Sequence, residues 1–169
     1  MTRLLLPLDH HADCTDAAEA DLLQRLKKLP RRVQQVFLLN RLDQLSYEVI
    51  AKRLDLRDSN VEHHMNQVLQ CSLSAPDAIA RVAGQWYVRL QSPQITASER
   101  IDFRRWLDAA PEHLAAFHAT ELRWRSLLAP ARLLGENHWY RQGRAAFSLG
   151  GCTVAMGLGL AALLALGFW

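Results

Sequence analysis

Asn60, His63, Asn66 and Gln67 recur at spacings of three and four, the rhythm of one helix face. Their amide and imidazole groups are the kinds that hydrogen-bond base edges in a DNA major groove. Ser59 opens the same stretch, and Lys52, Arg53 and Arg57 just ahead of it supply positive charge for phosphates. This chemistry recognises a partner and makes no bond. No carboxylate pair, nucleophile and base arrangement or phosphate-cradling glycine loop appears, so an enzyme is not expected, nor a cofactor. The cluster Asp9, His10, His11 and Asp13 lies in an N-terminus expected to be mobile and is assigned no chemistry.

No metal site is expected. His10-His11 and His63-His64 are adjacent pairs whose members point to different sides of a helix. Cys14, Cys71 and Cys152 lie far apart without a C-x-x-C spacing, which fits a reducing compartment. The formal net charge is +3 and charged residues make up 22%, so any DNA contact must come from a local patch. Between Leu22 and Cys71, nine basic residues stand against five acidic ones, a moderately positive module.

The pattern that must position these groups is helical, with no alternating strand. Leu22, Leu23, Leu26 and Leu29 form one stripe closed by Pro30, and Val33, Val36 and Phe37 continue at helical spacing. Ser46 is placed to cap a short helix whose Ile50, Ala51 and Leu54 face inward. A turn follows at Leu54-Asp55-Leu56, with Asp55 able to take a left-handed backbone. Ser59-x-x-Glu62 reads as a capping box opening a helix with Val61, Met65, Val68 and Leu69 inward.

A second helical module follows a turn-rich link in which Pro76 is expected to open the next helix. Ile79, Val82, Ala83, Trp86 and Leu90 form its first inner face. Thr96-x-x-Glu99 is another capping box, before Phe103, Trp106 and Leu107, and Pro111 starts a helix carrying Leu114, Phe117, Trp124 and Leu128. Trp86, Trp106 and Trp124 serve either a core or a partner surface. With Arg89 and Phe117 they are the candidate partner-binding residues.

From Ala145 to Trp169 no residue is charged, and a helix of that length would exceed the hydrocarbon thickness of a bilayer. Arg132, Arg141 and Arg144 precede it, so the sequence predicts a single-pass inner-membrane protein with a cytoplasmic N-terminus. Gly151, Ala155 and Gly159 form a small-residue stripe suited to packing two such helices into a homodimer. The N-terminus has no signal peptide pattern.

Two resemblances follow from these residues. Leu29-Pro30, Val36-Phe37-Leu38-Leu39, Leu45-Ser46-Tyr47, Ile50-Ala51 and Val61-Glu62-x-His64 resemble region four of a FecI-like extracytoplasmic-function sigma factor. That resemblance implies a helix-turn-helix that reads the promoter −35 element and touches RNA polymerase. The reading helix lacks Lys and Arg between Asp58 and Gln70, so DNA binding by this module alone is expected to be weak. Trp86, Arg89-Leu90, Glu99-Arg100, Phe103, Trp106-Leu107, Pro111-x-His113, Ala116-Phe117 and Leu122-x-Trp124 resemble the N-terminal domain of FecR-like anti-sigma regulators. That one implies a domain that binds a FecI-like sigma factor, ahead of a single span, in siderophore signalling.

The expected fold is all-α: a small helix-turn-helix bundle, then a three- to four-helix bundle and one transmembrane helix. Its parts are a flexible N-terminus (1–20), the sigma-like module (21–71), a linker (72–76), the anti-sigma-like domain (77–129), a juxtamembrane segment (130–144) and the span (145–169). The expected function is a membrane-tethered regulator of sigma signalling whose anti-sigma-like domain binds its own helix-turn-helix or a partner sigma factor, occluding Asn60, His63 and the basic face. The alternatives are a membrane-bound transcription factor that reads promoter DNA directly, or an inactive fragment of a longer hybrid lacking sigma region two and a periplasmic domain. The identity of the promoter and whether the signal is iron stay open.

Overall fold

The computed structural model describes residues 10–75 and 77–142. These form eight α-helices and one 3-10 turn, with no strand among them. The helices are α1 (His10–Lys27), α2 (Arg31–Arg41), α3 (Tyr47–Leu54), α4 (Asp58–Cys71), α5 (Ala78–Arg89), α6 (Ala97–Ala109), α7 (Pro111–Ser126) and α8 (Leu128–Leu134). The 3-10 turn, Trp139–Arg141, ends in a strap that reaches Gln142.

Local chemistry sets most boundaries. Ser46 caps α3 by accepting a hydrogen bond from the Val49 amide, and Asp55 ends it in the left-handed region at φ 55°. Thr96 and Glu99 exchange both bonds of a capping box at α6, and Pro111 occupies the first turn of α7. Asp77 caps α5 through the Ile79 amide, so the helix expected to open at Pro76 begins at Ala78. The box expected at Ser59 and Glu62 does not form: α4 starts at Asp58 with Arg57 at the N-cap, so Ser59 lies inside the first turn, and Glu62 pairs with Arg89.

Residues from both halves close over one core. Leu26, Val36, Phe37, Leu39, Ile50, Leu54, Val61, Met65 and Leu69 join Val88, Trp124, Leu127, Ala131 and Tyr140 in a single cluster. The 130–142 stretch, expected as a juxtamembrane segment, therefore folds back: α8 packs on α1 and the 3-10 turn on α2. Gly135 permits that return, since a Cβ there would stand 2.7 Å from Leu42 Cδ1 and 3.0 Å from Tyr140 Cε1. Leu114, expected inside, is exposed, because the inward row of α7 runs through Thr120 and Trp124.

The expected transmembrane helix and single-pass inner-membrane localisation are not upheld. Among the described residues no helix is long and apolar enough to cross a membrane. The longest, α1, has 18 residues but carries Asp13, Asp16, Glu19, Asp21, Arg25 and Lys27. The stretch 145–169, with its stripe of Gly151, Ala155 and Gly159 and the homodimer contact based on it, lies outside the described residues.

Trp124 ties the halves together. It meets Phe37 edge-on at 5.8 Å and Tyr87 at 5.9 Å, with the Arg41 guanidinium 5.0 Å over its ring. Trp124→Ala is expected to cost about 3–5 kcal/mol, the range for truncating a large buried aromatic. Urea denaturation should show this as a lower midpoint of one shared transition, with both halves melting together.

Candidate functional site

The turn at Asp55 sets α3 and α4 into a helix-turn-helix, with α2 packed beneath α4. Val61, Met65, Val68 and Leu69 fix the rotation of α4 by facing the core. Ser59, Asn60 and His63 consequently point outward and are exposed, as is Arg57 at the helix start. Asn66 and Gln67 are half-buried, and the Asn66 Oδ1 and Gln67 Oε1 are buried without a hydrogen-bond partner among the described residues. The outward reading face is therefore narrower than the sequence pattern suggests, and centres on Ser59, Asn60 and His63.

The cations are distributed unevenly. Lys52 is exposed but paired with Glu48 at 2.6 Å, one helical turn away. Arg53 donates to the Arg141 carbonyl at 2.6 Å. Arg32 reaches the Leu54 carbonyl at the end of α3, and Arg41 the Arg125 carbonyl near the end of α7. Guanidinium forks thus satisfy backbone oxygens that helix ends leave without partners.

Helix α5 lies antiparallel along one flank of α4. Gln94 Nε2 donates to Asp58 Oδ2 at 2.8 Å, Arg89 Nη1 to Glu62 Oε1 at 2.9 Å, and Gln70 Nε2 to the Arg81 carbonyl at 3.4 Å. The pairs run from one end of α4 to the other. Arg89 also donates through Nε to Glu99 Oε1 at 2.8 Å, so one guanidinium joins α4, α5 and α6. Glu99 completes its own capping box with Thr96. The hydrogen bond from Arg89, followed by those from Thr96, holds the Glu99 carboxyl down at about 2 from an ordinary 4.5.

The other candidate partner-binding residues lie inside the second half. Trp86 packs against Phe103 at 5.6 Å, and Phe103 against Phe117 at 5.0 Å. Trp106 stacks on His113 at 4.6 Å, with His113 Nδ1 2.7 Å from the Trp106 carbonyl. Trp86, Phe103, Trp106 and Phe117 are half-buried, while Trp124 contacts the first half directly. Burial pushes the Cys71 thiol up to about 11, which keeps it protonated and unreactive.

Sequence reasoning missed the strap. Gln35 Nε2 donates to the Tyr140 and Gln142 carbonyls at 3.0 and 2.9 Å, and Asp43 holds Arg141 at 2.7 Å. The available signal was the aromatic pair Trp139-Tyr140, which the assignment of 130–144 as a juxtamembrane segment left unused as core.

The geometry is that of a helix-turn-helix whose second helix is flanked by a second helical unit. Comparison with known families is specific for each half. Residues 19–71 match the model described as sigma-70, region 4. Residues 81–122 match a domain of unknown function, DUF4880. No curated protein and no solved structure matches the chain. The first half thus carries a sigma-type helix-turn-helix, which implies contact with DNA or RNA polymerase in transcription regulation.

The Arg89 cluster carries a pH signature. Because folding lowers the Glu99 pKa, its stabilisation is present above about pH 4.5 and is lost as pH falls toward 2. Arg89→Ala removes the largest cause of that shift. Urea midpoints measured from pH 6 to 2.5 should separate wild type from variant above 4.5 and draw together progressively as pH falls from 4.5 toward 2.5. A gap independent of pH would show that the contact acts through packing alone.

Proposed function

We propose that this protein is a regulator of sigma-type transcription in which the DUF4880 half restrains the helix-turn-helix half of the same chain, as a FecR-like partner would restrain a FecI-like sigma factor. Siderophore-linked iron uptake is the setting suggested by that resemblance. The protein acts by binding and is not an enzyme.

The observation that supports this most is the Arg89 bridge from Glu62 on the reading helix to Glu99, with α5 alongside α4. A major groove about 12 Å wide admits one helix of about 10–12 Å diameter. A second helix along its flank meets the phosphate wall, and the two carboxylates beside Arg89 repel it. The Gln94 contact to Asp58 adds a corner at the N-terminal end of α4, the end that contacts bases in docked helix-turn-helix proteins. Asn60 and His63, expected to be covered, stay exposed, so the restraint acts on seating in the groove and leaves the reading groups uncovered.

Magnitudes divide the labour. Partly exposed ion pairs contribute little to stability, whereas truncating a buried tryptophan costs several kcal/mol. The aromatic seam supplies the affinity of the joint, and Arg89 selects its register on α4.

That exposure also favours a second reading, direct promoter binding by the intact chain. Fluorescence anisotropy of a labelled promoter duplex distinguishes the two. Under cis restraint, Tyr87→Ala, which loosens the aromatic seam at Trp124 and changes no charge, should tighten DNA binding about tenfold, equivalent to about 1.4 kcal/mol. Equal or weaker binding by the variant would sink cis restraint and leave the direct reader.

A further inference from the structure

The strap at 139–142 makes an unusual set of contacts with the helix-turn-helix half. Three consecutive backbone carbonyls, those of Tyr140, Arg141 and Gln142, accept hydrogen bonds from Gln35 Nε2 and Arg53 Nη2. The Arg31 guanidinium lies 3.9 Å over the Trp139 ring. Arg31, Arg32 and Gln35 line a cleft of about 270 Å³ together with Trp139 and Gln142. The helix-turn-helix side thus presents a row of donors, and the strap presents a row of oxygens.

Donors of this kind, two guanidiniums and a side-chain amide beside a reading helix, are those that bind phosphate oxygens and set a protein's register on DNA. Arg32 holds the row together by donating to both Gln35 Oε1 and the Leu54 carbonyl, fixing the start of α2 to the end of α3. Gln35 is 8% exposed with the strap in place, and the Arg32 bond to its Oε1, which does not involve the strap, orients its amide. Carbonyl oxygens accept the same hydrogen bonds as phosphate oxygens but carry no full charge, so they fill the row without matching its electrostatics.

We infer that Arg31, Gln35 and Arg53 form a binding row for a nucleic-acid phosphate backbone, and that the strap occupies this row in cis as a mimic of that backbone. Strap and DNA are then mutually exclusive on this face. This inference rests on the reading that the helix-turn-helix half binds DNA, but it is separate from the Arg89 restraint, which acts on α4 through α5 and α6. Asp43 is the strap's anchor: it pairs with Arg141 at 2.7 Å and accepts from the Tyr140 hydroxyl at 3.2 Å.

The test is made on the full chain with Arg141→Ala, and with Trp139→Ala/Arg141→Ala, both of which leave the buried Tyr140 in place. A fluorescein-labelled 25-base-pair duplex of arbitrary sequence is titrated by anisotropy across a salt series. Charge counting alone says that removing Arg141 weakens binding. Competition by the strap says that binding tightens about tenfold and that the salt slope steepens by about 1 to 2, as Arg31 and Arg53 reach phosphates. Adding Arg53→Ala to the strap variant should then erase most of the gain, which general loosening of the fold would not do. If strap variants bind like wild type while Arg57→Ala weakens binding, the strap inference fails and the DNA-binding reading stands. If no form shows salt-dependent binding, both fail.

Discussion

Trp124 is the point on which the two halves depend. Its ring, 8% exposed, lies between Phe37 from the sigma-like half and Tyr87 from the DUF4880 half, beneath the Arg41 guanidinium. Burying an indole there removes a large apolar surface from both halves at once. Around it, α5 lies along α4, α7 beside α5, and α8 on α1. The helix-turn-helix thus shares its core with its neighbour.

The joint also changes what the positive charge of the first half can do. Arg25, Arg32, Arg41 and Arg53 each donate to a backbone carbonyl, those of Leu73, Leu54, Arg125 and Arg141. A guanidinium that caps a helix end or grips a strap is no longer free to follow a phosphate chain. A count of nine basic residues therefore overstates the charge offered to DNA in this conformation. Arg57 remains exposed at the start of α4, next to the exposed Ser59 and Asn60.

Local signals were read correctly where local chemistry decides. Ser46, Asp55, Thr96 with Glu99, and Pro111 all act within one turn of backbone, and each stands where its residue type predicts. Ser59 with Glu62 has the same spacing as Thr96 with Glu99 and yet makes no box. The difference is where each helix begins: α6 starts just after Thr96, which stands at its N-cap, whereas α4 starts at Asp58, leaving Arg57 at the N-cap and Ser59 inside the first turn. Leu114 likewise has the right spacing for the core, but α7 is rotated by the need to bury Trp124. The described residues also hold no membrane-crossing helix, so the expectation built on residues 145–169 finds no counterpart in this fold.

By itself the sequence determined the all-helical class, most helix starts, the helix-turn-helix and the resemblance of the first half to sigma region four, because these depend on periodicity, caps and short motifs. Only the tertiary structure decided that the halves share one core, that Asn66 and Gln67 turn partly inward while Asn60 and His63 stay out, and that Arg53 and Gln35 hold a strap. Those outcomes depend on contacts as distant as Gln35 to Gln142. No local pattern encodes them, since each depends on which of several compatible side chains first gains a buried or charged partner.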